Sequence, residues 1–263
     1  MEKKKKINPY FSASLEKGLN ILRLFNRDRP TWHLGQISQS TGINKTSAFR
    51  FVNTLVQLGY LKKHPQTKLI SLGLQVVGLA LNFSPNENIS EISKPFIDEI
   101  SEAHNLTVEL AIFEEDVLVV VYRREAKGAL VPRFPVTRTA ERLYCTSLGK
   151  AVLAYLPPNE LMNIINKLPL VTKTAGTIID RKDLIAHLKI AKEKGYAVNN
   201  EEWVPGLIAI GAPITNLKTN VVVGAVCFDF STSQSSLEII EKKYSGLITQ
   251  LARDISQAVT IQH

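Results

Sequence analysis

The sequence predicts an α+β chain in two parts: a short, basic, mainly helical stretch, then a longer part with a mostly antiparallel sheet and helices packed on it. Three observations carry this. Residues 1–82 hold 13 Lys and Arg against three acids, a net of +10. Residues 83–263 hold 19 against 21, a net of −2, so the whole excess of +8 lies in the first third. Between residues 14 and 72 the patterns run helix, short helix, tight turn, helix, hairpin. Beyond residue 105, strand-like runs are interleaved with helical ones, the mark of a sheet with helices on it.

Residues 1–11, with Lys3 to Lys6, read as a flexible basic arm. Over 14–26, Leu15, Leu19, Leu22 and Phe25 recur at helical spacing, and "NRDRP" ends the helix. "HLGQISQSTG" (33–42) is a short helix with Leu34, Ile37 and Ile43 pointing inward, and Gly42 can take the positive φ of a tight turn. In "GINKTSAFRFVNTLVQLGYL" (42–61), Ala48, Phe51, Val52, Leu55 and Leu58 make a buried stripe; Asn44 or Lys45 starts the helix and Gly59 ends it. Strand runs at 60–64 and 68–72 flank Pro65-Gln66-Thr67. This order is that of a winged helix-turn-helix. An apolar helical connector (74–83) follows, and the polar "SPNEN" (84–88) marks a boundary.

The second part opens with a helix over 89–104, bent or started at Pro95. "LTVELAIF" (106–113) and "VLVVVYRR" (117–124) form a hairpin around Glu114-Glu115-Asp116. "TSLGKAVLAYL" (146–156) is helical up to Pro157-Pro158. Asp180 and Gly195 bound a further helix as N-cap and C′ residue. "YAVNNEEW", "GLIAIGAPI" and "VVVGAVCFDF" are strand candidates, and an amphipathic helix closes the chain over 237–259. The domains expected are the arm (1–11), a winged helix-turn-helix (12–73), a linker helix and hinge (74–88) and a second domain (89–263).

Composition narrows the function. With 44% hydrophobic and 21% charged residues the chain is of ordinary globular type. No apolar run approaches the ~18 residues of a membrane span. The lysine-rich start is followed by Glu16, Lys17 and Arg23 rather than by an apolar block, so export is not expected. Two cysteines are too few for a disulfide framework, which points to a reducing cytoplasm.

The basic excess suits a polyanion. A recognition helix buries one face and offers its N-terminal residues to the major groove. Here that end carries Lys45, Thr46, Ser47, Phe49 and Arg50, with Asn53 one turn on. Thr46 and Ser47 are short enough for close backbone approach. Arg50 can pair with a guanine edge for about 1–3 kcal/mol of discrimination, and Phe49 can meet a thymine methyl. Lys62, Lys63, His64 and Lys68 would line the wing beside the phosphates, and the arm would follow the backbone or enter a minor groove. The partner expected is double-stranded operator DNA. The plainer alternatives are a solvated helix face with a solubilising lysine tail, or a winged helix that docks a protein partner.

The segments "SLEKGLNILRLF", "LGQISQSTGINKTSAFRFVNTLVQLGYLKKHPQTKLISLG", "GKAVLAYLP" and "GYAVNNEEWVPGLIAIGAPI" resemble, in order from about residue 14 to about 256, the isocitrate-lyase-regulator (IclR) family of bacterial transcription factors. The resemblance implies a winged helix joined by a linker helix to a GAF-like effector domain. It implies dimers or tetramers, repressors more often than activators, that sense small organic acids or aromatic catabolites. It points to an effector site at the loop entering "YCTSLGKA" (Tyr144, Cys145, Thr146, Ser147), at "NNEEWVPGLIAI" (Asn199, Ala209) and at "AVCFDF" (Cys227, Asp229). By position Asn199, Ala209, Cys227 and Asp229 match effector contacts of the family. Tyr144 stands where His is common and Asn199 where Asp is common, which implies a different ligand from that of the best-known members.

The residue chemistry fits. Thr146 and Ser147 carry hydroxyls at a helix start, where free N–H groups favour an anion. Strand alternation puts Cys227 and Asp229 on one face, Val226 and Phe228 on the other. For each residue a plain role competes: Cys227 as a small buried hydrophobe, Thr146 and Ser147 as helix caps.

Catalysis is not expected. Cys145 would need a base, and His33, His64, His104, His187 and His263 sit in no catalytic motif. "SLGKA" lacks the upstream glycine of a phosphate loop, and Glu201 and Glu202, being adjacent, would point to opposite faces of a strand. Two cysteines and scattered histidines give no metal spacing. No cofactor is expected.

Overall fold

A computed structural model describes residues 10–26, 29–81, 89–130 and 142–262. The chain divides into two compact units, Met1–Pro85 and Asn86–His263. Residues 1–9 of the arm and the 84–88 hinge lie outside the described residues.

The first unit contains α1 (Ala13–Leu22), β1 (Thr31–Trp32), α2 (Leu34–Thr41), α3 (Lys45–Gln57), β2 (Leu61–Lys63), β3 (Ile70–Leu72) and α4 (Gln75–Leu81). Gly42 takes φ +68° between α2 and α3, and Gly59 takes φ +80° just past α3, as a turn and a C′ position require. The strands form an antiparallel sheet in the order β1-β3-β2. β1 has no sequence signal: two residues after a proline carry no period, and only pairing with β3 makes them a strand. β2 and β3 are shorter than the 60–64 and 68–72 runs because the turn between them is wider; Lys68 there has φ +58°.

Two hydrophobic stripes differ from their predicted positions. In α1 the core takes Ile21 and, just beyond the helix, Phe25, while Leu15 (63% exposed) and Leu19 (46%) face solvent. In α3, Ala48 and Val52 are buried with Phe51 and Leu55 packed against the core, but Leu58 is 57% exposed. Leu58 is the C-cap residue, where the helical period ends.

The second unit contains α5 (Ile89–His104), β4 (Thr107–Glu114), β5 (Val117–Arg124), α6 (Arg142–Cys145), α7 (Ser147–Tyr155), α8 (Pro158–Lys167), α9 (Arg181–Lys194), β6 (Ala197–Asn200), β7 (Leu207–Asn216), β8 (Val221–Ser231) and α10 (Leu237–Gln262). The five-stranded sheet has the order β5-β4-β8-β7-β6, every neighbouring pair antiparallel. The β4–β5 turn uses Glu115 (φ +49°) and Asp116 (φ +62°), the two left-handed residues of a tight hairpin turn. α5 and α10 cover one face over Leu110, Ile210, Val226 and Phe228, and α6 to α9 pack over Ala111, Ala225 and Cys227 on the other. With both faces covered, β7 is buried from Leu207 through Ile214, hence its unbroken apolar run. α5 is continuous through Pro95. α6 and α8 were not expected from the sequence; α8 uses Pro158 as its first residue, so a proline read as a terminator is also an initiator.

Candidate nucleic-acid interface and effector cavity

α3 begins at Asn44, whose side chain accepts the Ser47 N–H at 2.9 Å. Ala48 and Val52 are turned into the core, so the opposite face carries Lys45, Thr46, Phe49, Arg50 and Asn53, all exposed, with Ser47 half-buried at its edge. Lys63 on β2 places its Nζ 6.0 Å from the Phe49 ring centroid, which ties the wing to this face. Lys62 is exposed on the same strand. His64 and Lys68 instead shape the wing turn. The His64 Nδ1 accepts the Gln66 and Thr67 N–H groups, each at 3.3 Å, and Lys68 Nζ donates to the Pro65 carbonyl at 2.6 Å. All ten predicted residues thus lie on α3 or the wing, eight of them with side chains not committed to the turn.

In the second unit, a cavity of about 30 Å³ lies between the start of α7, β4, β8 and the β6–β7 turn, with room for about two waters. Six of the eight predicted residues line it: Thr146, Ser147, Asn199, Ala209, Cys227 and Asp229. Register explains the convergence, because Glu109 pairs with Cys227 across β4–β8 and Ala209 with Asp229 across β7–β8. α7 can approach this closely because position 211 is glycine; a Cβ there would lie 3.1–3.2 Å from Ser147 and the Cys227 Cβ.

Tyr144 and Cys145 are not among the lining residues. Both are fully buried in α6, and the Tyr144 hydroxyl donates to the Val171 carbonyl (2.7 Å) and accepts its N–H (3.0 Å). Position 144 thus anchors the 168–171 segment. Thr146 is the α7 N-cap: its hydroxyl accepts the Gly149 N–H at 3.0 Å and donates to the Arg142 carbonyl at 2.6 Å. The capping role is present, and the residue lines the cavity as well.

Glu109, Arg142 and Trp203 also line the cavity and were missed. Glu109 had a legible signal, a charge within the apolar "LTVELAIF". Trp203 lies within the segment "NNEEWVPGLIAI" without being singled out, and Arg142 had no signal; they come from a turn and a short helix, and meet with the guanidinium 5.4 Å from the ring centroid.

The electrostatics rest on Arg123. It bonds to Glu109, reaches Glu125 at 3.1 Å, and lies 3.5 Å from Asp229. Burial, reinforced by the charge of Glu109, pushes the Asp229 carboxyl up to about 8; Arg123 opposes this but is shared among three carboxylates. Burial and the neighbouring carboxylates also hold the Cys227 thiol well above its ordinary range. The thiol therefore donates to Asp229 Oδ1 (3.5 Å) and is no nucleophile. Burial lowers Arg142, with Glu109, Cys145 and Asp229 countering. Donor atoms of Glu109, Cys227 and Asp229 lie within 4.8 Å of one another, a spacing a metal could use. Arg123 supplies positive charge to the same two carboxylates. The chemistry suits binding of a small polar anion: guanidinium, hydroxyl and amide donors beside a neutral acid. A larger open groove, about 600 Å³ between α9, β7 and α10, has a buried Ser256 already bonded to Thr215 and Ala252.

No helix among the described residues is long and apolar enough to cross a membrane. Residues 14–65 match the family described as "IclR helix-turn-helix domain", and residues 83–257 the one described as "Bacterial transcriptional regulator IclR C-terminal". The chain is 25% identical over 244 residues to the HTH-type transcriptional regulator KdgR of Dickeya chrysanthemi, covering 93% of this chain and 79% of the relative. It is 27% identical over 254 residues to the HTH-type transcriptional repressor AllR of Escherichia coli (strain K12), covering 95% and 92%. An IclR homolog from Microbacterium hydrocarbonoxydans, crystallised with 4-hydroxybenzoate, shares the fold with a TM-score of 0.78 at 21% identity, over 95% of this chain and all of that one. With a helix-turn-helix and an effector domain matched in order along nearly its whole length, the chain belongs to the IclR family of bacterial DNA-binding transcriptional regulators.

Proposed function

We propose that the protein is a cytoplasmic repressor that binds operator DNA through the exposed face of α3 and releases it when a small organic acid enters the second-unit cavity, parting walls that now leave room for about two waters. The observation that carries the DNA half is the exposed α3 face made by Lys45, Thr46, Phe49, Arg50 and Asn53, with the wing residue Lys63 placed over Phe49. Arg50 reads a base edge, Thr46 and Ser47 bond phosphate or base, and the wing follows the backbone; the Lys3–Lys6 arm adds phosphate contacts. A protein-docking wing is not favoured, since the relatives are named as helix-turn-helix regulators.

The working unit is a homodimer or homotetramer. Leu74, Val77 and Leu79, at and along α4, are exposed in the single chain, apolar side chains that a second copy would cover. Two α3 helices then enter major-groove half-sites about 34 Å apart. The ligand moves this equilibrium only by its difference in affinity for the two arrangements. Arg142, Ser147 and Asn199 support a carboxylate ligand, as does the 4-hydroxybenzoate held by the Microbacterium relative.

The test is a gel shift of the full chain on duplexes selected from a random library, between 50 and 200 mM salt. Affinity is expected to fall steeply with log salt. Arg50→Ala is expected to weaken the selected site by roughly 10- to 100-fold, the equivalent of one lost bidentate contact. Unchanged affinity in Arg50→Ala would remove α3 as the reading helix.

A further inference from the structure

The cavity walls come from distant segments: Ser147 and Leu148 open α7, and Asn199 and Trp203 belong to β6 and the turn after it. One buried ion pair joins them. Lys150, in the first turn of α7, bonds through Nζ to the Glu202 carboxylate, with side chains only 3% and 6% exposed.

Net stability does not explain this pair. Two ions taken out of water lose hydration that their attraction barely restores, and an apolar pair of the same volume does as well. Glu202 Oε2 is moreover buried with no hydrogen-bond partner, an added penalty. Its place in the fold does explain it. The Glu202 N–H donates to Asn199 Oδ1 at 2.8 Å, which engages the oxygen end of that amide and leaves Nδ2 as the end a ligand can use. The next residue, Trp203, carries the ring that meets Arg142 at 5.4 Å and Lys173 Nζ at 5.7 Å.

We infer that the Lys150–Glu202 ion pair is a positioning device for the effector cavity: it draws the β6–β7 turn onto α7 so that Asn199 and Trp203 are presented to a ligand alongside Ser147. The inference rests on reading the cavity as the effector site. Thr174 and Thr177 also grip the turn, through the Glu201 carbonyl (2.5 Å) and the Glu202 carbonyl (2.7 Å). They hold its backbone; the ion pair holds the Glu202 side chain, and with it the orientation of its neighbours.

The test uses the full chain carrying Trp32→Phe, which leaves Trp203 as the sole tryptophan of two. Lys150→Met and Glu202→Gln are each expected to lower Tm by about 10 °C, as loss of one partner of a buried pair does. Each is also expected to shift Trp203 emission to the red and steepen its quenching by iodide. The double variant Lys150→Met/Glu202→Leu strands no charge, so its Tm is expected to return to within about 3 °C of the parent. Its emission and iodide quenching are expected to stay altered. If the double variant regains both the parent Tm and the parent spectrum, the pair is structural filling and the inference fails. It fails equally if Glu202→Gln leaves Trp203 unchanged, a result that stands even if the double variant does not fold. No effector enters this readout, so its failure leaves the cavity assignment intact; that assignment is tested separately by a thermal-shift screen of small acids.

Discussion

Asp229 sits in an environment that contradicts its ordinary chemistry, and Asp229→Asn probes it. Burial and Glu109 raise its carboxyl from 3.8 to about 8 in the folded protein. The folded state therefore keeps a proton that the unfolded chain gives up above about pH 4, and unfolding is favoured as pH rises through that window. At 1.36 kcal/mol per unit the full shift amounts to about 6 kcal/mol; relaxation of the cavity and entry of water reduce this to roughly 2–3 kcal/mol. Below pH 4 both states carry the proton and the term vanishes; above about 8 both are ionised and it is fully present. Asparagine is neutral throughout, so the variant escapes the effect, and titrating groups away from the cavity cancel in the difference. Urea unfolding of the Trp32→Phe chain and of the same chain with Asp229→Asn, followed by Trp203 fluorescence from pH 4.5 to 8.5, gives that difference. The variant is expected to gain steadily on the parent by the stated total. A flat difference would refute the buried neutral acid. A slope of opposite sign would mean that Arg123, 3.5 Å away, holds Asp229 as the anion.

Two further substitutions test the local geometry. Asn44→Ala removes the α3 cap, with an expected loss of about 1 kcal/mol in the first unit and, on the proposal that α3 reads the groove with this end, weaker operator binding as the helix frays there; calorimetry and the gel shift measure the two effects. Gly211→Ala inserts a Cβ against Ser147 and Cys227, with an expected loss of about 1–3 kcal/mol and a reduced thermal shift from any acid that stabilises the parent, while operator affinity is retained; an unchanged Tm would show that α7 yields freely.

Much of the fold was legible because its signals are local. Asp180 and Gly195 bound α9, Asn44 caps α3, and Gly42 turns the chain before it, each within one turn of the residue that reveals it. The β4–β5 hairpin was likewise written in its turn residues. Local signals failed where tertiary contact chooses among equals. Leu15 and Leu19 have the spacing of a buried stripe, yet α1 turns Ile21 inward, since either apolar face suits an isolated helix. β1 exists only because β3 lies beside it.

The cavity shows the same division. Resemblance led to Asn199, Ala209, Cys227 and Asp229, and strand alternation put the last two on one face. That Tyr144 points away to Val171, that Glu109 stands opposite Cys227, and that Arg142 and Trp203 meet there were decided by sheet register and by the seating of α7 on Gly211. Charge totals, helical periods and caps belong to the chain itself because each depends on neighbours a few residues apart. The proton on Asp229 and the link from Lys150 to Glu202 belong to the folded molecule alone, because excluding water from a carboxylate takes groups that only folding brings together.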